Sequence, residues 1–215
     1  MSKQGRAGYP FLKWFTDKCI SLTLLALFSP IFTIVLLGMG ISMLLRPQDR
    51  GLLFYRERRI SKGREFDVLK FRVLREDVLA RMHRENKHAR LYEKDTSNLT
   101  WAGHYLIKKW YLDELPQLWN ILKGDMSLVG PRPWPVHMVQ AQVARGVTYR
   151  NHIHAGWTGP AQLQKGQPTG GRSEQLDQEY LHRCQTWPSW RLLRYDLGVL
   201  YETLQVMVQG QGLKY

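Results

Sequence analysis

Between Cys19 and Leu45 the chain reads CISLTLLALFSPIFTIVLLGMGISMLL, without one charged residue. A straight helix of that length reaches about 40 Å, more than the roughly 30 Å of a bilayer core. The segment is therefore expected to enter a membrane. A cleaved signal peptide has a shorter apolar region ending at a small-x-small site, and no good site of that kind follows here. Arg6, Lys13 and Lys18 precede the segment, while Arg46, Arg50, Arg56, Arg58 and Arg59 follow it. Cationic flanks stay on the cytoplasmic side, so both ends are expected on one face. Ser29-Pro30 stands where a bend would be needed: proline removes a backbone donor, and a serine hydroxyl can satisfy a freed carbonyl. The pattern predicts a re-entrant helix-break-helix hairpin over residues 19–45. A spanning helix with a mild kink at Pro30 is the other arrangement this stretch allows.

Beyond the apolar stretch the periods change. LLFYRERRI and REFDVLKFRVL, separated by Ser61-Lys62-Gly63, read as two β-strands joined by a turn. Arg75 to Lys94 reads as a charged, solvated helix with a weak stripe of Val78, Leu79, Met82, Ala89 and Leu91. A stronger helix begins near Leu115, with Pro116 in its first turn, Leu118, Trp119 and Leu122 at helical spacing, and Gly124 as its stop. SLVGPRPWP, around Arg132, is expected to be a rigid irregular loop, and residues 155–171 another loop. From Trp187 to Gly210, Trp190, Leu193, Leu197, Leu200, Leu204 and Met207 mark a helix; its aromatics with Arg191 and Arg194 suit either a membrane interface or packing on the core. The predicted organisation is a basic segment 1–18, the membrane hairpin 19–45, a cytoplasmic catalytic domain 46–186 and a C-terminal amphipathic helix and tail 187–215. The fold class is α+β, helix-dominated, with short strands and interfacial helices.

Composition narrows the partners. The 215 residues carry 31 Lys and Arg against 18 Asp and Glu, a formal charge of +13. That excess points to polyanions: nucleic acid, an anionic membrane surface or phosphorylated substrates. At 44% hydrophobic the chain can bury a core, which excludes a disordered or collagen-like class. Two cysteines, Cys19 and Cys184, build no disulfide framework, and no zinc-type Cys/His spacing occurs. His104, His137, His152 and His154 show no ligand spacing either.

The chemistry concentrates in YLDELPQLWNILKGDMSLVGPRP, residues 111–133. Asp113 and Glu114 stand at a helix start, where acids commonly complement the macrodipole. Their setting favours more than capping, because Lys108 and Lys109 lie just upstream, Lys70 and Arg72 in the earlier strand, and Arg132 between two prolines. Acids among fixed cations in a membrane-tethered protein suit phosphate chemistry: cations neutralise phosphoryl oxygens, and a carboxylate binds a divalent metal or attacks phosphorus. Lys70 and Arg72 share a strand face, which would serve phosphates or anionic lipid headgroups equally. Asp125 is a spare candidate ligand beside the Gly124 stop.

These residues resemble the signature of the bacterial sugar transferases, the monotopic polyprenyl-phosphate phosphoglycosyl transferases. The likeness runs through Leu112-Asp113-Glu114-Leu115-Pro116-Gln117-Leu118, then Asn120, Leu122 and Gly124, and Met126-Ser127-Leu128-Val129-Gly130-Pro131-Arg132-Pro133. Lys13 and Asp17 resemble the family's pair before the membrane segment, and Ser29-Pro30 its helix-breaking pair. Lys70-Phe71-Arg72 is similar to its K-F-R; Gly156, Thr158, Gly159 and Gln162 to its P-G-x-T-G-x-x-Q; Asp177, Tyr180, Asp196 and Thr203 to C-terminal positions. Val73-Leu74, Ala155 and Lys108 depart from the pattern, and Lys108 keeps the charge of the commoner arginine without its fork. With no extra membrane helices or sensor domain expected before the membrane segment, the chain resembles the minimal form of the family.

The resemblance implies transfer of a phosphosugar from a UDP-sugar to polyprenyl (undecaprenyl) phosphate, giving polyprenyl-diphosphate-sugar and UMP. This would start bacterial glycoconjugate or exopolysaccharide synthesis at the cytoplasmic face of the inner membrane. It implies Asp113 as nucleophile and Mg²⁺ ligand, forming a covalent phosphosugar-aspartate, with Glu114 assisting. Lys70, Arg72, Lys108 and Arg132 would bind substrate phosphate, with Gly130, Pro131, Pro133, Gly156, Thr158, Gly159 and Gln162 as supporting loop positions. The implied partners are the UDP-sugar, polyprenyl phosphate and membrane lipid; a homodimer is left open. The competing class is a membrane-anchored basic module for anionic lipid or nucleic acid, but no nucleic-acid fold signature is present, and no nucleic-acid partner is expected.

Overall fold

The computed structural model describes residues 10–85, 87–164 and 172–208. Arg6 with the start of segment 1–18, the end of the 155–171 loop and the tail beyond 208 lie outside the described residues. In chain order the elements are α1 (Phe11–Leu45), β1 (Phe54–Ser61), β2 (Arg64–Phe71), α2 (Glu76–Glu85), α3 (Ala89–Glu93), α4 (Gln117–Lys123), β3 (Ser127–Val129), β4 (Trp134–Pro135), α5 (Val136–Ala144), β5 (Gly156–Thr158), α6 (Pro160–Leu163), α7 (Arg172–Thr186) and α8 (Ser189–Val208). Strand order β2-β1-β4 forms one small sheet and β3-β5 another, so the fold is α+β with helices dominant. The chain divides into two compact units, Met1–Leu22 with Arg58–Asp67 and Asn120–Tyr215, and Thr23–Glu57 with Val68–Trp119.

Among the described residues α1 alone is long and apolar enough to cross a membrane. Leu22, Leu27, Ile34, Leu37, Ile41 and Leu44 are exposed along it, as lipid-facing side chains would be. The expected break at Ser29-Pro30 is not an interruption: helix runs continuously through Pro30. Proline at position 30 cannot donate to the carbonyl four residues back, Ala26 O. Ser29 Oγ donates to that same carbonyl at 2.8 Å, and Thr33 Oγ1 donates to Ser29 O at 2.9 Å. The hydroxyls thereby preserve the helix where proline opens its ladder.

In the first unit, polar side chains of α1 are buried among other helices. Lys13 Nζ donates to Asp196 Oδ2 on α8 at 2.6 Å, and Tyr180 Oη on α7 donates to Asp196 Oδ1 at 2.7 Å. Asp17 Oδ2 accepts from Ser127 Oγ at 2.7 Å. Lys18 Nζ donates to Ile121 O at 2.9 Å and to Leu122 O, so a cation meets the negative end of α4. Strands β3 and β5 pair in parallel, Ser127 with Gly156 and Val129 with Thr158. The continuation of this pairing leaves no room for side chains: a Cβ on Gly156 would stand 2.1 Å from Gly130 N, and one on Gly159 2.2 Å from Gly130 O. That packing explains why glycine occupies all three positions.

The second unit is built around Arg72 and Asp49. The Arg72 side chain is 1% exposed, and its guanidinium donates to Leu52 O (2.5 Å), Leu74 O (2.9 Å) and Asp49 O (2.6 Å). Asp49 Oδ2 accepts from Ser42 Oγ and from Trp101 N, the latter at 2.9 Å. Phe71 stacks on Phe54 at 5.5 Å between ring centres and meets Phe32 of α1 at 5.3 Å. Gly103 packs on the Val73 carbonyl, which a Cβ would approach to 2.4 Å.

The β1-β2 hairpin forms as the alternation predicts, turning at Lys62 and Gly63 with φ of 49° and 72°. Elsewhere the structure departs from the sequence pattern. The helix expected over Arg75–Lys94 is two, α2 and α3, because His88 is extended and its Nδ1 accepts from Arg90 N at 3.2 Å, starting a new helix. The 155–171 stretch contains β5 and α6 rather than loop alone, since the backbone of 156–158 finds β3 as a partner. Helices α5 and α7 were not foreseen, as neither carries a strong apolar stripe in its sequence.

Candidate active site

The chain from Gly103 to Glu114 is a series of non-α turns: a π-turn (Gly103–Ile107), a 3₁₀ turn (Lys108–Trp110) and another (Leu112–Glu114). Between the last two, Tyr111 adopts left-handed φ 56°, ψ 31°. A tyrosine there costs roughly 1 kcal/mol, and such strain gathers where the chain must aim a side chain. Here it reverses the backbone so that Asp113 faces Lys108. Lys108 Nζ donates to Asp113 Oδ2 at 3.1 Å and lies 2.8 Å from Glu93 Oε2 of α3. Lys70 Nζ, at the end of β2, donates to Glu114 Oε1 at 3.3 Å. The two adjacent acids thus point to different lysines, as neighbours on a helical turn do.

Asp113 is 6% exposed. Burial pushes its carboxyl above the usual aspartate range; Lys108 and Lys70 pull against that, and Glu114 adds to it. Burial opposes the Lys108 charge as well, but Asp113 and Glu93 outweigh it and raise the ammonium above its ordinary value. Burial thus makes the Asp113 carboxyl more basic than in water, and the neighbouring Lys108 ammonium works against that shift. Asp113 and Glu114 precede α4, which begins at Gln117 rather than Leu115, and Asp113 accepts a hydrogen bond from the Lys108 side chain.

The other expected site residues divide. Lys70 and Lys108 join the carboxylates. Arg72 does not offer itself to a phosphate or headgroup: β2 ends at Phe71, the strand alternation stops, and its guanidinium is consumed by the three carbonyls described above. Arg132 lies in the first unit with an exposed side chain, between Pro131 and Pro133. Gly130 N donates to Thr158 O and Gly156 N to Pro131 O, both at 2.8 Å, so the supporting glycines and Thr158 do hold that loop. Thr158 Oγ1 is also 2.8 Å from Thr203 Oγ1. Gln162 sits in α6, partly buried. Asp125 is bound by Asn120 Nδ2 (3.2 Å) and Lys123 Nζ (2.9 Å), a turn-closing role.

Sequence reading missed Glu93, an acid in a charged run with no spacing signal. It also missed Arg150, whose guanidinium reaches Arg132 O, Gln142 and Asp177. Burial lifts the Asp177 carboxyl to about 6, with Arg150 and Tyr149 pulling it back. His154 is lowered to about 4, first by burial, and is neutral at physiological pH. Among the described residues no three His, Cys, Asp or Glu side chains gather as a metal cage.

The family model described as "Bacterial sugar transferase" matches residues 8–210. Among the most similar curated relatives, the UDP-galactose-lipid carrier transferase of Erwinia amylovora is 32% identical over 200 residues, covering 85% of this chain and 39% of that protein. The UDP-N-acetylgalactosamine-undecaprenyl-phosphate N-acetylgalactosaminephosphotransferase of Aeromonas hydrophila is 27% identical over 211 residues, 96% of this chain and 46% of its own length. Exopolysaccharide production protein ExoY of Rhizobium meliloti (strain 1021) is 32% identical over 201 residues, 87% of this chain and 81% of its own. The chain thus spans under half the length of the first two and most of the third.

A carboxyl raised by burial and pulled back by two lysines, Lys108 foremost, has a predictable response. Carbon-13 NMR titration of labelled aspartate should place Asp113 above the ordinary value of about 3.9. Lys108→Met should move it further up, since a favourable charge on the ionised form is removed. An Asp113 that titrates at or below the ordinary value, or ignores the substitution, contradicts this electrostatic description.

Proposed function

The chain belongs to the bacterial sugar transferase family, and on that premise we propose that it transfers a phosphosugar from a UDP-sugar to a polyprenyl phosphate, releasing UMP. The observation that carries the reading is the buried Asp113 paired with Lys108, beside Glu114 paired with Lys70. The names of the Erwinia and Aeromonas relatives, a lipid carrier transferase and an undecaprenyl-phosphate phosphotransferase, support the same substrate classes.

In this reading the Asp113 carboxylate attacks the sugar-proximal phosphorus. A bond forms from Oδ to phosphorus, and the bridging oxygen leaves with its electron pair on UMP. An oxygen of the polyprenyl phosphate then attacks the same phosphorus and returns Asp113 to its carboxylate. Burial makes the nucleophile more basic while Lys108 favours its ionised form, a combination that favours attack. Lys108 and Lys70 can exchange their carboxylate partners for phosphoryl oxygens as charge moves onto the leaving group. Glu93 then holds Lys108 when Asp113 is esterified, and Glu114 serves the incoming lipid phosphate.

The donor set suits Mg²⁺, which takes one or two carboxylates and completes its shell with water and substrate phosphate rather than an all-protein cage. Asp113 would hold it together with the diphosphate, and the ion would supply neutralisation of phosphoryl charge.

Residues outside the carboxylate pair support a membrane setting. Each end of α1 is bound by polar contacts, Lys13 and Asp17 at the start and Ser42 at the finish, while exposed apolar side chains fill the middle. With basic residues on both flanks, these features support α1 entering and leaving the bilayer by its cytoplasmic face, bent at Pro30 within a continuous helix. Exposed Trp190, Leu197, Tyr201 and Leu204 on one side of α8 suit the interface. An active site pinned there meets a polyprenyl phosphate without drawing its chain into water.

Detergent-solubilised protein with Mg²⁺ and a panel of UDP-sugars should release UMP from one donor, dependent on polyprenyl phosphate. Asp113→Asn should lower turnover by about a thousandfold or more. Full turnover in Asp113→Asn would remove the nucleophile assignment. Silence across the panel from folded protein, with salt-sensitive binding to anionic vesicles or oligonucleotides, would favour the basic binding module.

Topology has its own test. With Cys19 and Cys184 replaced by serine, Lys3→Cys and Arg50→Cys should both react with an impermeant thiol reagent from the cytoplasmic side only. Labelling from opposite sides would make α1 a spanning helix.

A further inference from the structure

Helix α8 carries a glycine in its middle that packing does not require. An interior glycine weakens a helix relative to alanine, yet a Cβ on Gly198 would meet no atom within 4 Å. The room it leaves belongs to a groove of about 680 Å³ between α6, α7 and α8, wholly within the first unit. Arginines and aromatic rings make its wall. The Arg183 guanidinium lies 4.6 Å from the Tyr195 ring centre and 5.3 Å from that of Trp187, and Arg191 lies 4.1 Å from Trp187. Rings that already carry cations are closed to a quaternary ammonium, while a guanidinium held over a ring keeps N–H groups for an oxyanion. Arg183 is 3.6 Å from Glu179 Oε2, but among the described residues Arg191 and Arg194 have no carboxylate partner. The lining as a whole carries three arginines against two glutamates, so it favours an anion.

The groove adjoins the apolar face of α8. At about 3.6 residues per turn, Trp190, Leu197, Tyr201 and Leu204 fall on one side, Arg194 stands at its edge, and Arg191 and Gly198 follow further round. Trp190, 64% exposed, belongs both to that face and to the groove. We propose that the groove binds the headgroup of an anionic phospholipid, with Arg191 and Arg194 donating to its phosphate oxygens and its acyl chains lying along the apolar face of α8. The inference rests on the reading of α8 as an interfacial helix and adds a lipid class to it. Gly198 keeps the headgroup's place open between the helices.

Full-length protein in phosphatidylcholine nanodiscs tests this, the probe being a minor share of either phosphatidylglycerol or phosphatidylcholine brominated on its acyl chains. Trp190 emission is read as the difference between native protein and Trp190→Phe. Both probes should quench it, because α8 lies at the interface; no quenching by either would remove that placement and the proposal together. At equal share, brominated phosphatidylglycerol should quench as though enriched about fivefold around Trp190. Arg191→Gln combined with Arg194→Gln should abolish the enrichment. Gly198→Leu, which fills the groove and leaves every charge in place, should abolish it too without lowering the thermal midpoint, and so separates the groove from the general attraction of a basic surface. Equal quenching by the two probes in native protein, or a preference that survives these variants, would overturn the headgroup site and leave α8 at the interface. Loss of the preference when inorganic phosphate replaces chloride at constant ionic strength would assign the groove to soluble phosphate instead.

Discussion

An ionised carboxylate taken out of water costs several kcal/mol unless a cation lies against it. Lys108 is that cation for Asp113, and Glu93 completes the arrangement by holding the ammonium from its other side. The surrounding chain is organised to keep these groups in place. Gly103 packs on the Val73 carbonyl, the π and 3₁₀ turns follow, and left-handed Tyr111 turns Asp113 back on Lys108. Were the segment a regular helix from Gly103 onward, residues five apart in sequence would not share one face. The irregular backbone is thus what brings position 108 to position 113.

The same economy appears away from this pair. Arg72 and Asp49 fasten the end of β2 to the chain that follows α1. Lys13 and Asp17 fasten the beginning of α1 to α8 and β3. A helix whose middle exposes apolar residues has few contacts of its own to define its ends, so buried polar bonds at each end supply that definition. Buried charges of this kind add specificity only while all partners are present, because loss of one leaves the other unpaired. At Gly130, Gly156 and Gly159 the device is the opposite one, omission of the side chain so that backbones touch.

What could be read beforehand followed from chemistry carried by residue type and spacing. The uncharged run from Cys19, the hairpin with Lys62-Gly63 at its turn, and Asp113-Glu114 among lysines are all visible in one dimension. Ser29-Pro30 was legible as a special site but its consequence was not, since whether a hydroxyl breaks or repairs a helix depends on which carbonyl it reaches. Arg72 was misread because a strand's alternation holds only while the strand lasts, and β2 stops one residue earlier. Glu93 and Arg150 carried no signal: each acts on a residue distant in sequence, and a charged side chain in a charged run looks solvated until the fold shows its partner. The division of the Arg75–Lys94 helix was hidden for a related reason, a histidine capping a turn that propensity alone would continue.

The central claim is that Asp113 becomes covalently bonded to the phosphosugar. Intact-protein mass spectrometry, followed by peptide mapping, measures this directly after purified protein is mixed with its UDP-sugar and Mg²⁺ without lipid. The account predicts an added mass equal to one phosphosugar, located at Asp113 and discharged by polyprenyl phosphate. An active enzyme that never carries the adduct, or that carries it at another residue, would contradict the account.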